Sequence, residues 1–342
     1  MRFAPALLLL AAACGHSEPF GSTPTLSDGP FSAAAPVRLT YNTLTDSAAS
    51  LTEAGDGILY LYTGNPNGDR CVGLLPLGGG TQRWNLCDTR VDRADSAKSF
   101  SAVALGTDGR LLYQEALSRR GRPNPEATVL WLADSATPFV RRALLTMPTN
   151  IGGRAISWFT DAVWVGPTEF IARSGQLTVD AACSGCLPDT LLAGVALMRG
   201  TITASGVTLV TIPGTADITR HAIAENGTSF VVVRNSATLE RLPIAGGTST
   251  PIATLPRAGT ISGVSCRGSE CLVTQHVTRP LPASGLDTWF YRVSLATNSV
   301  TSLRLETGLW SIPLLLPTGG DAVLQPSATG THNLFLFKGL LP

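Results

Sequence analysis

Two stretches far apart in the chain read almost alike: Leu75-Pro76-Leu77-Gly78-Gly79-Gly80-Thr81 and Leu242-Pro243-Ile244-Ala245-Gly246-Gly247-Thr248. Each is an apolar strand that runs into a glycine pair and restarts at threonine, which is the pattern of an antiparallel hairpin with a tight turn. A recurring hairpin constrains a chain more than composition does, because it implies one antiparallel unit repeated several times.

The rest of the sequence agrees with that reading. The 342 residues suffice for one large closed β architecture. Charged residues make up only 14%, while 35 glycines and 23 prolines accompany abundant serine and threonine. No long stretch carries apolar residues at helical spacing, so the chain is built from strands and turns.

Six places carry the same order of signals: a short apolar strand, a glycine-bearing turn, a second strand rich in aromatic and β-branched residues, then a further pair. The turns are Gly55-Asp56-Gly57, Gly106-Thr107-Asp108-Gly109, Gly166-Pro167-Thr168, Asn226-Gly227, Arg267-Gly268 and Gly319-Gly320-Asp321. The third unit is the least regular and is expected to carry an insertion. The sixth reaches the end of the sequence with three strands, through 334–337, and the alternating Val37-Arg38-Leu39-Thr40-Tyr41 is free to supply a fourth. The predicted fold is therefore all-β, a six-bladed β-propeller over 37–342 closed by pairing of its N- and C-terminal strands, since an open array would leave unpaired edges. A seven-bladed propeller and a β-sandwich are the alternatives.

The Asp-Gly and Asn-Gly turns, with the two Leu-Pro hairpins, resemble the WD40-like and TolB-type propeller repeats of bacterial envelope proteins. That resemblance covers most of 37–342 and implies the fold and an envelope compartment. It leaves function open, because such propellers include binding proteins, assembly factors and enzymes.

The first 13 residues hold one charge, Arg2, then an apolar run around Leu7-Leu8-Leu9-Leu10 and the small residues Ala11-Ala12-Ala13 before Cys14. The run is too short for a permanent span and fits an export signal. The Ala11-Ala12-Ala13-Cys14 junction resembles the lipobox of bacterial lipoproteins, although Ala11 stands where leucine is commonest. The resemblance implies lipid attachment at Cys14, and Gly15 after it implies the outer membrane. An ordinary cleaved secretory signal is the alternative. Residues 14–36, rich in Ser, Pro, Gly and Ala, read as a tether.

Removing the leader takes 25 basic residues to 24, level with the 24 acidic ones. Lys98 and Lys338 are the only lysines, and the arginines are dispersed. Nucleic acid is not an expected partner, because neutralising phosphates requires a local cationic surface.

Six cysteines remain beyond Cys14, an even number suited to an oxidising compartment. Proximity in sequence suggests the disulfides Cys71 with Cys87, Cys183 with Cys186, and Cys266 with Cys271. Cys183-Ser184-Gly185-Cys186 could in principle serve redox chemistry or half a zinc site, but the helical context or the further ligands those need are not visible.

No catalytic, cofactor or metal motif emerges. His16 lies in the tether, and His221, His276 and His332 fall in three different units without ligand spacing. Gly263-Val264-Ser265-Cys266-Arg267 lacks the last glycine of a nucleophile elbow. Asp56, Asp108 and Asp321 read as turn residues, and Trp131 and Trp289 as packing rings in third strands. The expected function is a non-catalytic, membrane-anchored envelope scaffold binding a protein or small ligand. The alternative is a propeller-type enzyme: a lactonase, a glycan-active enzyme or a quinone-linked dehydrogenase.

Overall fold

The computed structural model describes residues 36–40, 46–63, 70–77, 85–87, 96–119, 125, 127–134, 140–179, 190–234, 238–279, 285–317, 320–326 and 333–341. The leader, Cys14, His16, most of the tether, the pair Cys183 and Cys186, and His332 lie outside them.

The described chain opens with β1 (Val37–Arg38). Blade 1 is β2 (Asp46–Leu51), β3 (Gly57–Thr63), β4 (Arg70–Pro76) and β5 (Asn85–Cys87). Blade 2 is β6 (Ser96–Leu105), β7 (Arg110–Arg119), β8 (Ala127–Asp134) and β9 (Arg141–Met147). A two-stranded hairpin, β10 (Thr149–Ile151) with β11 (Arg154–Ile156), leads into blade 3. Blade 3 is β12 (Trp158–Gly166), β13 (Glu169–Val179), β14 (Thr190–Thr203) and β15 (Gly206–Thr211). Blade 4 is β16 (Arg220–Ala224), β17 (Ser229–Val233), β18 (Thr238–Pro243) and β19 (Thr250–Thr254). Blade 5 is β20 (Thr260–Arg267), β21 (Glu270–Thr278), β22 (Leu286–Ser294) and β23 (Ser299–Thr307). Blade 6 is β24 (Leu314–Leu315), β25 (Ala322–Leu324) and β26 (Phe335–Phe337), with β1 as its fourth strand. The protein is a six-bladed β-propeller. The hairpin before blade 3 is not among the six predicted units, yet Gly152 and Gly153, at φ +59° and +80°, are the residues such a tight turn requires.

The second strand of blade 4 is packed on both faces and reads as an apolar run, all five residues of β17 being buried, whereas outer strands such as β23 alternate buried and exposed residues. Each of the six junctions holds its own core. Leu59 and Val72 meet Phe100 and Tyr113 between blades 1 and 2, and Leu112 meets Phe159 and Phe170 between blades 2 and 3. Ile171 and Leu197 meet Phe230 and Val232 across the next junction, and Val231 meets Val264 and Val273 across the one after. Trp310, Phe335 and Phe337 pack against Phe290 and Leu272 where blade 6 meets blade 5.

The recurring glycine pair has an inter-blade purpose. In blade 4 it turns β18 into β19, and the Gly247 N–H donates to the Pro213 carbonyl of the chain leaving blade 3, at 2.9 Å. A Cβ on Gly246, at φ +85°, would lie 2.5 Å from that carbonyl oxygen, so both backbone conformation and proximity demand glycine.

The dispersed arginines bind the next blade. Arg142 of blade 2 donates to the Thr203 carbonyl of blade 3 at 2.9 Å, and Arg199 of blade 3 donates to the Ile244 carbonyl beside blade 4 at 3.1 Å. Arg220 of blade 4 donates through Nε to the Ser262 carbonyl of blade 5 at 2.6 Å, and Arg241 reaches the Leu295 carbonyl. A planar guanidinium can serve such carbonyls while its stem packs, which a lysine ammonium does less well.

Disulfides join Cys71 to Cys87 and Cys266 to Cys271, each pair directly opposite across an antiparallel ladder. Asp56 and Asp108 sit at their turns, accepting from Thr52 Oγ1 at 2.7 Å and from the Arg110 N–H at 3.0 Å. Asp321 instead reaches the Gly339 N–H at 2.7 Å.

Ring closure follows the predicted pairing. Val37 faces Leu336 and Arg38 faces Phe335, while the Leu39 N–H donates to the Leu334 carbonyl at 2.8 Å. The Leu334 N–H donates to Thr40 Oγ1 at 2.9 Å, and Tyr41 lies outside the described residues. Leu39, Leu334 and Leu336 then pack with Ile58 and Tyr60 of blade 1, completing the sixth junction.

One charged pair is sealed between blades 5 and 6. Arg304 Nε donates to Glu306 Oε1, both side chains are at most 3% exposed, and the guanidinium lies 5.2 Å from the Phe337 ring centre. Burial pushes the Glu306 carboxyl up to about 7, against the pull of Arg304, and its Oε2 has no hydrogen-bond partner among the described residues.

Two outcomes are expected. Leu39→Pro removes the closing N–H donor, costs about 1–3 kcal/mol in urea denaturation and increases light scattering from the exposed edge of β26. The folded Glu306 holds its proton to a higher pH than the unfolded one, at 4.5, so its contribution to stability falls as pH rises from 4.5 to about 7. Glu306→Gln flattens that part of the profile, and an unchanged difference between the two proteins across this window contradicts the assignment.

Candidate functional site

The first strands of the blades, β2, β6, β12, β16, β20 and β24, are the innermost: β2 contacts β6, β12 and β24, β6 contacts β12, and β20 contacts β16 and β24. Four of them carry a β-bulge, between Ala48 and Ser50, Ser101 and Ala104, Thr160 and Val163, and Ile261 and Gly263. A bulge turns backbone groups out of the ladder and re-aims side chains. In β12 the bulged residue is Asp161, held at φ +52°.

Charge gathers near the inner strands of blades 3 and 4. Arg173, on β13, pairs with Asp161 at 3.0 Å and donates through Nε to Thr160 Oγ1 at 3.1 Å. Its Nη1 donates to the Thr219 carbonyl at the entry to β16. Arg220 Nη1 donates to that same carbonyl at 2.7 Å, so one backbone oxygen holds two guanidinium groups. Arg220 uses Nε on Ser262 and leaves Nη2 without a protein partner among the described residues. Two cations thus stand near one carboxylate, which is paired to Arg173 alone. Burial and the nearby Arg173 charge lower the Arg220 pKa, while Asp161 opposes that shift.

His221 points the other way from Arg220 along β16 and meets Phe230 edge-on, with ring centres 6.4 Å apart. Burial, opposed by Asp161 and reinforced by Arg173 and Arg220, lowers its pKa to about 4, so the imidazole is neutral. His276 lies in another blade, its Nε2 3.0 Å from the Trp310 carbonyl. No group of three His, Cys, Asp or Glu side chains among the described residues is arranged to hold a metal ion.

Sequence inspection passes over Asp161, Arg173 and Arg220, since no motif joins them. The Arg220-His221 dipeptide at the start of a strand is the only local signal. Trp131 and Trp289 do stand in third strands, but both are half-buried and each lies beneath an arginine, Arg141 at 4.0 Å and Arg257 at 3.9 Å from the ring centre.

The fold defines the class, a six-bladed β-propeller. No protein-family profile matches the sequence, and no curated protein matches it either. Solved structures do match the fold. A gluconolactonase from Xanthomonas campestris is similar at 14% identity with a TM-score of 0.54, over 92% of this chain and 93% of that one. An oligogalacturonate lyase from Vibrio parahaemolyticus is similar at 11% and 0.52, over 92% and 95%, and a putative TolB from Agrobacterium tumefaciens at 12% and 0.50, over 88% and 96%. At such identities the likeness concerns fold alone, and it spans enzymes and a TolB alike.

The neutral His221 gives a pH signature. The unfolded imidazole, at 6.5, takes up a proton that the folded one refuses until about 4, so stability is complete above 6.5 and falls as pH drops toward 4. His221→Gln is expected to remove that acid-side loss in denaturation midpoints, and a variant profile parallel to wild type contradicts it.

Proposed function

We propose that this chain is a lipid-anchored β-propeller of the bacterial cell envelope, working as a binding or assembly scaffold rather than as a catalyst. Cys14 carries the lipid, residues 15–36 form the tether, and the outer membrane is the site of attachment. The partner is an envelope protein or a small ligand that presents an acidic group to the channel mouth.

One observation carries this reading: two guanidinium groups on a single carbonyl stand near one carboxylate, and Arg220 keeps an open donor. A scaffold needs donors held in place before the ligand arrives, and backbone anchoring provides them. Acid–base catalysis needs instead a titratable group poised near working pH and free to exchange protons. Among the described groups at the mouth, Asp161 is paired to Arg173 and His221 is held neutral against Phe230.

The test combines fractionation with crosslinking in the native host. Cys14→Ser is expected to move the protein from the membrane to the soluble envelope fraction. Arg220→Glu, which remains folded by circular dichroism, is expected to lose crosslinks made by wild type at the mouth. An unlipidated wild-type Cys14, identified by mass spectrometry, contradicts the anchor. Turnover of a lactone or a uronide by purified protein contradicts the scaffold.

A further inference from the structure

We infer that the groove beside Trp289, between blade 5 and the segment that leaves blade 4, is a second and separate binding site, for a small molecule that joins a carboxylate to an apolar body. The groove is open to solvent and has a volume of about 480 Å3, within the range of small-molecule sites. Its lining is mixed: Val277, Leu305 and the half-buried Trp289 contribute apolar surface, and Arg257, Arg279 and Asp287 contribute charge.

The charges there do not balance. Arg279 Nε donates to Asp287 Oδ1 at 2.7 Å, and the same oxygen accepts the Gly308 N–H at 3.0 Å, so that carboxylate is committed. Arg257 has no carboxylate partner among the described residues, and its guanidinium lies 3.9 Å from the centre of the Trp289 ring. Arg257 hydrogen-bonds the Tyr291 side chain as Arg141 does Tyr113, so what it lacks is the carboxylate alone; stacking engages the flat face of a guanidinium and leaves in-plane N–H groups beyond that one bond to an anion. The backbone beneath is fixed: Gln275, 1% exposed, donates to the Arg257 carbonyl at 2.9 Å and accepts from the Tyr291 hydroxyl at 3.1 Å.

Blade 2 supplies the internal comparison. Arg141 covers Trp131 at 4.0 Å in the same way, but there it donates to Glu115 at 2.9 Å and to the Tyr113 hydroxyl at 2.9 Å. The chain thus fills the anion position of one indole–arginine stack with its own carboxylate. The other stack has an open groove in its place, and a ligand carboxylate completes it.

The probes are cyclohexanecarboxylate and cyclohexylmethanol, alike in body and different in charge, titrated into the full-length protein by calorimetry and tryptophan fluorescence. The acid is expected to bind at least about tenfold tighter than the alcohol, with a dissociation constant of about 1 mM or below. Arg257→Gln should abolish that preference and Trp289→Phe should remove the fluorescence response, with unchanged circular dichroism and melting. Equal affinity for acid and alcohol overturns the site, as does binding that survives Arg257→Gln. Acid binding that disappears in Arg220→Gln but persists in Arg257→Gln also overturns it, and assigns the carboxylate to the channel mouth.

Discussion

The structure depends on a few residues of backbone pairing. Val37 and Arg38 lie against Leu336 and Phe335, and the Leu39 N–H reaches the Leu334 carbonyl. Without that strand, blade 6 has three strands of two or three residues each and an open edge, and its apolar face toward blade 1 loses Leu39. Closure converts six neighbouring contacts into a ring in which every sheet has a neighbouring sheet on each side. It also brings together segments almost the whole described chain apart, which folding can reward only after a long loop has been ordered.

Within the ring, apolar contact and arginine divide the labour. Aliphatic and aromatic side chains fill the junctions, as Phe230 does between blades 3 and 4 and the Trp310, Phe335 and Phe337 cluster does near closure. Arginines reach forward from one blade to carbonyls of the next, which fixes the blades against sliding in a way that non-directional packing does not. The channel mouth is an extension of the same device. Arg173 and Arg220 converge on the Thr219 carbonyl as structural clamps, and the donor left over on Arg220 is what a ligand can use.

The sequence carried different parts of this with different clarity. Six units, their turns and the closing partner were legible because glycine turns and apolar strands are local signals with a fixed order. The hairpin at 149–156 also has its signal, Gly152-Gly153, but it interrupts the repeat and so falls outside a reading based on repetition. Trp131 and Trp289 were legible as large rings in third strands. Their arginine covers were not, because Arg257 lies in the connection from β19 to β20 and Trp289 in β22, and the two meet only when blade 5 folds against the segment leaving blade 4.

What the amino-acid order determined by itself is the all-β repeat, the near-neutral charge and an arginine content far above lysine, since these reside in neighbouring residues or in bulk counts. What only the tertiary structure decided is where charge is left uncompensated. Asp161, Arg173 and Arg220 come from three strands in two blades, and the difference between Arg141 with Glu115 and Arg257 without a carboxylate is a matter of a few ångströms across folded sheets. Electrostatic balance depends on distance in space, and a linear sequence does not contain that distance.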